Sequence, residues 1–211
     1  MSKTEHSTFI KVQRHILSSR HKLYDIIRCE FCRIIIKNQK FIQISLYAIW
    51  FVFEKNDTAY FSNVIRELSN RYNSHVFEPH ITAYGLVDVD LNMLDEIVIN
   101  SIRGEKQFTI EKSNVLFSDN FWKTLFVEFY PNKQFERINK KLTESLGSYR
   151  KYEFKPHVSL IYKKMSKDEQ KKLADGIVIK ENFKITGMWI QQFSDDIEKW
   201  KIVSKYDLDV N

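Results

Sequence analysis

One hexapeptide pattern occurs twice in this chain. Phe77-Glu-Pro-His-Ile-Thr82 and Phe154-Lys-Pro-His-Val-Ser159 both read F-x-P-H-[IV]-[TS], with their histidines 77 positions apart. Two of the 3 prolines stand directly before these histidines, and outside the N-terminal segment the one further histidine is His75. Such a match in register marks an internal duplication, and a repeat constrains architecture before any local propensity does. Proline biases the residue before it, here Glu78 or Lys155, toward extended backbone, so each motif opens a strand. In a strand, residues i and i+2 share a face. His80 therefore projects with Thr82 and His157 with Ser159, while Ile81 and Val158 turn into an apolar layer. If the two halves pack about a pseudo-two-fold axis, two imidazoles and two hydroxyls converge on one cleft.

The intervening sequence supplies matching elements. The run ISLYAIWFVF from Ile44 is β-branched and aromatic and reads as a central strand. Asp57 is expected to cap a helix over 57–72, with Phe61, Ile65 and Leu68 on one face. Strands are expected at 80–87, 108–117, 122–130 and 157–162, and helices at 91–102 and 134–146, the latter ended by Gly147. Ser166-Lys-Asp-Glu169 is a capping box opening a further helix. Residues 183–193 and 199–206 form a closing hairpin turned at 194–196. The order of elements repeats in the two halves, an α+β arrangement.

Charge divides the chain differently. The net +6 resides entirely in the first 40 residues, which hold nine Lys/Arg against three Asp/Glu. Residues 1–43 read as a basic amphipathic extension of one or two helices over 8–36, and 44–211 as a single domain. Such an extension suits RNA or, as the weaker alternative, an anionic membrane surface, and equally a solvated helix face. With 5 Gly, the chain has no Gly-rich phosphate loop and no dinucleotide-binding fingerprint. Cys29 and Cys32 form a lone C-x-x-C, too few ligands for zinc, and read as reduced thiols of a cytoplasmic protein. The longest apolar stretch, 41–53, is too short to span a bilayer.

The paired H-x-[TS] motifs suit phosphodiester chemistry without a metal or other cofactor. Histidine exchanges a proton near neutral pH. One neutral imidazole can deprotonate water while a protonated one returns a proton to the leaving alkoxide. The hydroxyls of Thr82 and Ser159 can bind the non-bridging phosphate oxygens, where charge accumulates. A single H-x-[TS] would be read as a strand histidine satisfied by its neighbour. The doubled motif, with its Phe and Pro, favours catalysis instead.

On these residues, together with Ser45-Leu-Tyr-Ala-Ile-Trp50, Phe121-Trp-Lys-Thr-Leu-Phe126 and Leu160-Ile-Tyr162, the sequence resembles the two-histidine (2H) phosphoesterase superfamily and its cyclic phosphodiesterase-like branch. The likeness covers about residues 44–207. It implies a bilobal duplicated fold with two antiparallel sheets lining a central cleft and helices outside. It also implies hydrolysis of 2′,3′-cyclic nucleotides or ADP-ribose 1″,2″-cyclic phosphate, leaving the phosphate on the 2′ oxygen (1″ for ADP-ribose). By the same resemblance His157 activates water, His80 protonates the leaving oxygen, and Tyr162 lies near the phosphate.

In an ideal strand Tyr162 faces away from Ser159, so a site role requires a twist or bulge. Trp122 can stack a base, with core packing as the alternative. Tyr84 continues the His80–Thr82 face and is expected to border the cleft. His75 reads as a surface residue, and Trp50, Trp189 and Trp200 as packing residues. The expected partner of this monomer is a small cyclic phosphate. RNA 3′ ends or cyclic and 2′-5′ oligonucleotides are the alternative substrates, and non-catalytic binding of such ends is the third reading.

Overall fold

The computed structural model describes residues 45–210. The basic extension, including Cys29 and Cys32, lies outside the described residues. Seven strands and four helices follow in the order β1 (Tyr47–Phe53), α1 (Lys55–Tyr72), β2 (Ile81–Val87), α2 (Leu91–Ile102), β3 (Phe108–Phe117), β4 (Leu125–Phe129), α3 (Lys133–Leu146), β5 (His157–Ile161), α4 (Lys167–Gly176), β6 (Asn182–Gln192) and β7 (Lys201–Asp207). Short 3-10 turns at Phe121–Lys123 and Ile197–Lys199 precede β4 and β7.

The duplication is visible in the pairing. The unit β1-α1-β2-α2-β3 recurs as β4-α3-β5-α4-β6. β1 pairs with β2 and β6 as β4 pairs with β5 and β3, all antiparallel. Each half thus lends its third strand to the other. Two further pairings join the resulting three-stranded lobes: β3 with the first residues of β6, and β2 with β5. The six strands close a hydrogen-bonded circuit, and β7 adds alongside β6 from Gly187 to Gln192. The two sheets expected from the sequence are continuous with one another.

Helices cover the outer faces because their apolar residues recur at helical spacing. In α3 the buried side chains are Phe135, Ile138, Leu142 and Leu146. Phe51, Phe61, Phe129, Phe135 and Phe183 are among the largest fully buried residues, each contributing about 1.5–3 kcal/mol through removal from water. Two of the expected helix ends are present: Ser166 and Glu169 form the capping box of α4, and Gly147 ends α3, whose N-cap is Asn132. Asp57 is an exception. Glu54 occupies the N-cap of α1 without a side-chain bond, while Asp57 sits buried in the first turn. Its carboxylate accepts from the Lys184 backbone N–H at 2.6 Å and pairs with the Lys180 ammonium. It therefore ties α1 to the β6 region rather than capping the helix. The strand expected at 122–130 is shorter, since Asn120 caps a 3-10 turn at Trp122.

Candidate active site

β2 and β5 meet at a single registered pair, Ile81 opposite Val158. Each of these residues follows its motif histidine, and both are fully buried. Alternation about the pair sends His80, Thr82, His157 and Ser159 to the opposite face, where all four line one cleft of about 350 Å³. A volume of this order suits a small ligand.

The X-Pro-His step also fixes the imidazoles. Nδ1 of His80 lies 2.7 Å from the Glu78 carbonyl, and Nδ1 of His157 lies 2.7 Å from the Lys155 carbonyl. A carbonyl only accepts, so Nδ1 carries hydrogen in both rings and the neutral form leaves Nε2 bare. Burial holds both histidines down to about 4, opposed by these carbonyl bonds. The partner His157 adds to the depression at His80, and the Lys123 ammonium adds to it at His157. Both rings are therefore neutral at pH 7, and an arriving phosphodiester anion favours the protonated form of whichever it approaches.

Two β-bulges decide what else reaches the cleft. The β4–β5 register slips between Phe126–Ser159 and Leu125–Ile161. The extra residue returns Tyr162 to the face of Ser159, as its expected role requires. Tyr162 lines the cleft and stacks on Phe77 at 3.9 Å; burial raises its pKa, opposed by the nearby Ser159 hydroxyl. The β1–β2 register slips at the equivalent place, between Trp50–Thr82 and Ile49–Tyr84. Here the extra residue turns Tyr84 inward, so the expectation that Tyr84 borders the cleft fails. It is fully buried, and its hydroxyl donates to the Arg150 carbonyl at 2.5 Å. Gly85 faces the cleft instead. A Cβ there would lie 2.8 Å from the Tyr152 ring, which packs over the strand and donates its hydroxyl to the Thr82 carbonyl.

The hydroxyls of the two motifs differ. Ser159 donates to the Trp122 carbonyl at 2.8 Å, so engaging a phosphate oxygen requires it to rotate away. Thr82 is half-buried on the cleft wall. Trp122, 36% exposed, lines the cleft and lies 5.7 Å from Trp200 at 28°.

Trp50 and Trp200 also line the cleft, against the expectation that they serve packing alone. Trp50 is stacked on His80 at 3.6 Å and 9°. The sequence held a signal for it. Ile49-Trp50-Phe51-Val52-Phe53 aligns with Leu125-Phe126-Val127-Glu128-Phe129 at an offset of 76, and Trp50 and Phe126 each pair with their motif's hydroxyl residue. Trp189 has the Lys205 ammonium over its ring at 4.2 Å and does not line the cleft. Arg150 and Gln191 line the cleft without any motif to announce them, and Lys123 lines it from the segment Phe121-Trp-Lys-Thr-Leu-Phe126, where no role was expected of it. His75 is half exposed and lies 3.7 Å from Glu198, as a surface residue would. Among the described residues no helix is long and apolar enough to cross a membrane, and no three His, Cys, Asp or Glu side chains cluster as a metal site.

A duplicated sheet with two Nε2-exposing histidines on one face defines the 2H phosphoesterase class, and comparison with known proteins agrees. The family model described as cyclic phosphodiesterase-like protein matches residues 46–208; the chain belongs to this family and is a phosphodiesterase. Among solved structures, E. coli LigT complexed with 3′-AMP is 10% identical, with a TM-score of 0.56 over 78% of this chain and 98% of that one. TT0787 of Thermus thermophilus is 11% identical, with a TM-score of 0.57 over 79% and 99%. At such identities the likeness is one of fold. No curated protein matches the sequence.

Proposed function

We propose that this phosphodiesterase opens ribose-linked cyclic phosphates, 2′,3′-cyclic nucleotides or ADP-ribose 1″,2″-cyclic phosphate, by acid–base catalysis between His157 and His80. The observation carrying this reading is the pair of bare Nε2 atoms presented on one cleft face by equivalent backbone bonds. His157 takes a proton from water as the oxygen attacks phosphorus. His80 gives its proton to the departing ribose oxygen, leaving the phosphate on the 2′ oxygen (1″ for ADP-ribose). Each step is worth roughly 10²–10⁴-fold. The division of labour follows the surroundings. The indole face under His80 stabilises an imidazolium, whereas the Lys123 ammonium favours neutral His157. Thr82, Ser159 and Tyr162 contact the non-bridging oxygens, and Trp122 offers a ring face to the base. Solved LigT structures with 3′-AMP, phosphate and NADP+ are consistent with a nucleotide ligand for this fold.

The test is incubation in excess chelator with a 2′,3′-cyclic mononucleotide, ADP-ribose 1″,2″-cyclic phosphate and a short RNA ending in a cyclic phosphate, followed by phosphorus NMR. Wild-type turnover that survives chelation and vanishes in His80→Ala and His157→Ala is the expected result. Failure to open any of the three sinks the reading in favour of binding without catalysis.

A further inference from the structure

Beyond the reacting phosphate, the cleft has a second, cationic end. Arg150 lies in the segment between α3 and β5, and its backbone is anchored on both sides. Its N–H donates to the Leu146 carbonyl at 3.1 Å, and its carbonyl accepts from the buried Tyr84 hydroxyl. Its side chain is aimed as well, since Nη1 donates to the Leu86 carbonyl at 3.0 Å. One such bond leaves most of the guanidinium's five donors free. Among the described residues, the ion pairs of 4.0 Å or less all involve other cations, so no carboxylate neutralises Arg150. Lys155, by contrast, is paired with Glu153.

The placement along β2 sets the scale. Leu86 stands four residues beyond Thr82, about 13 Å of strand, and Gly85 three residues beyond, about 10 Å. Between Thr82 and Arg150 lies the Tyr152 ring, seated over Gly85 and bonded to the Thr82 carbonyl. The resulting arm therefore runs from hydroxyl to aromatic ring to fixed guanidinium. Trp122, Trp200 and Phe193, which pack on one another, give the cleft an aromatic stretch as well. A nucleoside cyclic phosphate with a free 5′-hydroxyl has one anionic group, and with that group at the histidines it has none left for Arg150.

We propose that Arg150 binds a second phosphate, carried on the 5′ oxygen of the same ribose whose cyclic phosphate is opened. This makes 5′-phosphorylated substrates the preferred class, and it rests on the cyclic-phosphate reading above. The second phosphate comes either from a pyrophosphate, as in ADP-ribose 1″,2″-cyclic phosphate, or from the preceding linkage of an RNA end. Planar guanidinium matches either through paired N–H donors.

The experiment compares kcat/KM for adenosine 2′,3′-cyclic phosphate, its 5′-phosphorylated form, a dinucleotide ending in a 2′,3′-cyclic phosphate, and ADP-ribose 1″,2″-cyclic phosphate. Wild type should favour the last three, and the one favoured most identifies the source of the second phosphate. Arg150→Ala should lower the ratio of 5′-phosphorylated to 5′-hydroxyl turnover about tenfold or more, a charge-assisted bond discounted for its exposure. Arg150→Lys should restore part of it. Equal losses on all substrates, or a wild type indifferent to the 5′ group, overturn the proposal. Calorimetric binding of adenosine 2′,5′-bisphosphate against adenosine 2′-phosphate reads the same preference without catalysis. A wild type that opens no cyclic phosphate yet prefers the bisphosphate through Arg150 would defeat the functional reading and leave this subsite standing.

Discussion

His80 lies face to face with Trp50 at 3.6 Å, whereas His157 meets Phe126 edge-on at 5.5 Å. Trp50 and Phe126 occupy equivalent register positions, and the two imidazoles make the same backbone bond. Identical strand geometry has thus been given two chemical surroundings. Lys123 stands near the second histidine, and its ammonium lies 4.1 Å over the Phe126 ring. A site built by duplication needs such a difference, because acid and base must hold opposite protonation states at one moment. The bulges show the same divergence. Each returns the third residue after the hydroxyl to the cleft, and that residue is Tyr162 in one half and Gly85 in the other.

The comparison breaks most readily at the histidines themselves. Against a cyclic phosphate, His80→Ala and His157→Ala should each cost roughly 10²–10⁴-fold in kcat. Against a 4-nitrophenyl phosphodiester, whose leaving group needs no proton, His80→Ala should recover much of the loss and His157→Ala should not. Steady-state rates on both substrates decide it, and equal recovery would show the roles to be interchangeable.

A smaller contrast lies in the hydroxyls. Thr82→Val should remove one phosphate contact and cost about tenfold in kcat/KM. Ser159→Ala should cost less, because wild-type Ser159 must give up its bond to the Trp122 carbonyl before it can reach the phosphate. The substitution should nonetheless weaken binding of base-bearing ligands relative to inorganic phosphate. If calorimetry finds the two variants alike, the Ser159–Trp122 link contributes nothing to base binding.

The smallest effect concerns pH. His157 is held down to about 4 by burial first, with Lys123 contributing. The base must be neutral, so the acid limb of kcat/KM follows the His157 pKa. Lys123→Met removes the repulsion, raises that pKa and shifts the acid limb to higher pH. The variant's imidazole titration, followed by NMR, should move in the same direction. An unmoved acid limb would mean that the lysine does not distinguish the halves.

Much of this was legible in the sequence because its signals were local. The repeated X-Pro-His-x-[TS] dictated strand entry and the common face of His80, Thr82, His157 and Ser159. Helical spacing marked α2 and α3, Gly147 the end of α3, and the Ser166–Glu169 capping box the start of α4. Trp50 was assigned to packing because an apolar, aromatic run gives no periodic contrast between a strand face in the core and one lining a cleft. Tyr84 was misplaced by strict alternation, and Tyr162 reaches the cleft only because alternation breaks.

The sequence by itself determined that two matched halves exist, where the two motif strands begin, and which four side chains share a face. Those properties depend on backbone preferences within a few residues of each proline. Tertiary structure alone decided the rest: the bulges that exchange Tyr84 for Gly85 and deliver Tyr162, the stacking of Trp50 on His80, and the arrival of Lys123 and Arg150 at the cleft. Each depends on cross-strand register and on segments distant in the chain, and register is a property of paired strands that no single strand encodes.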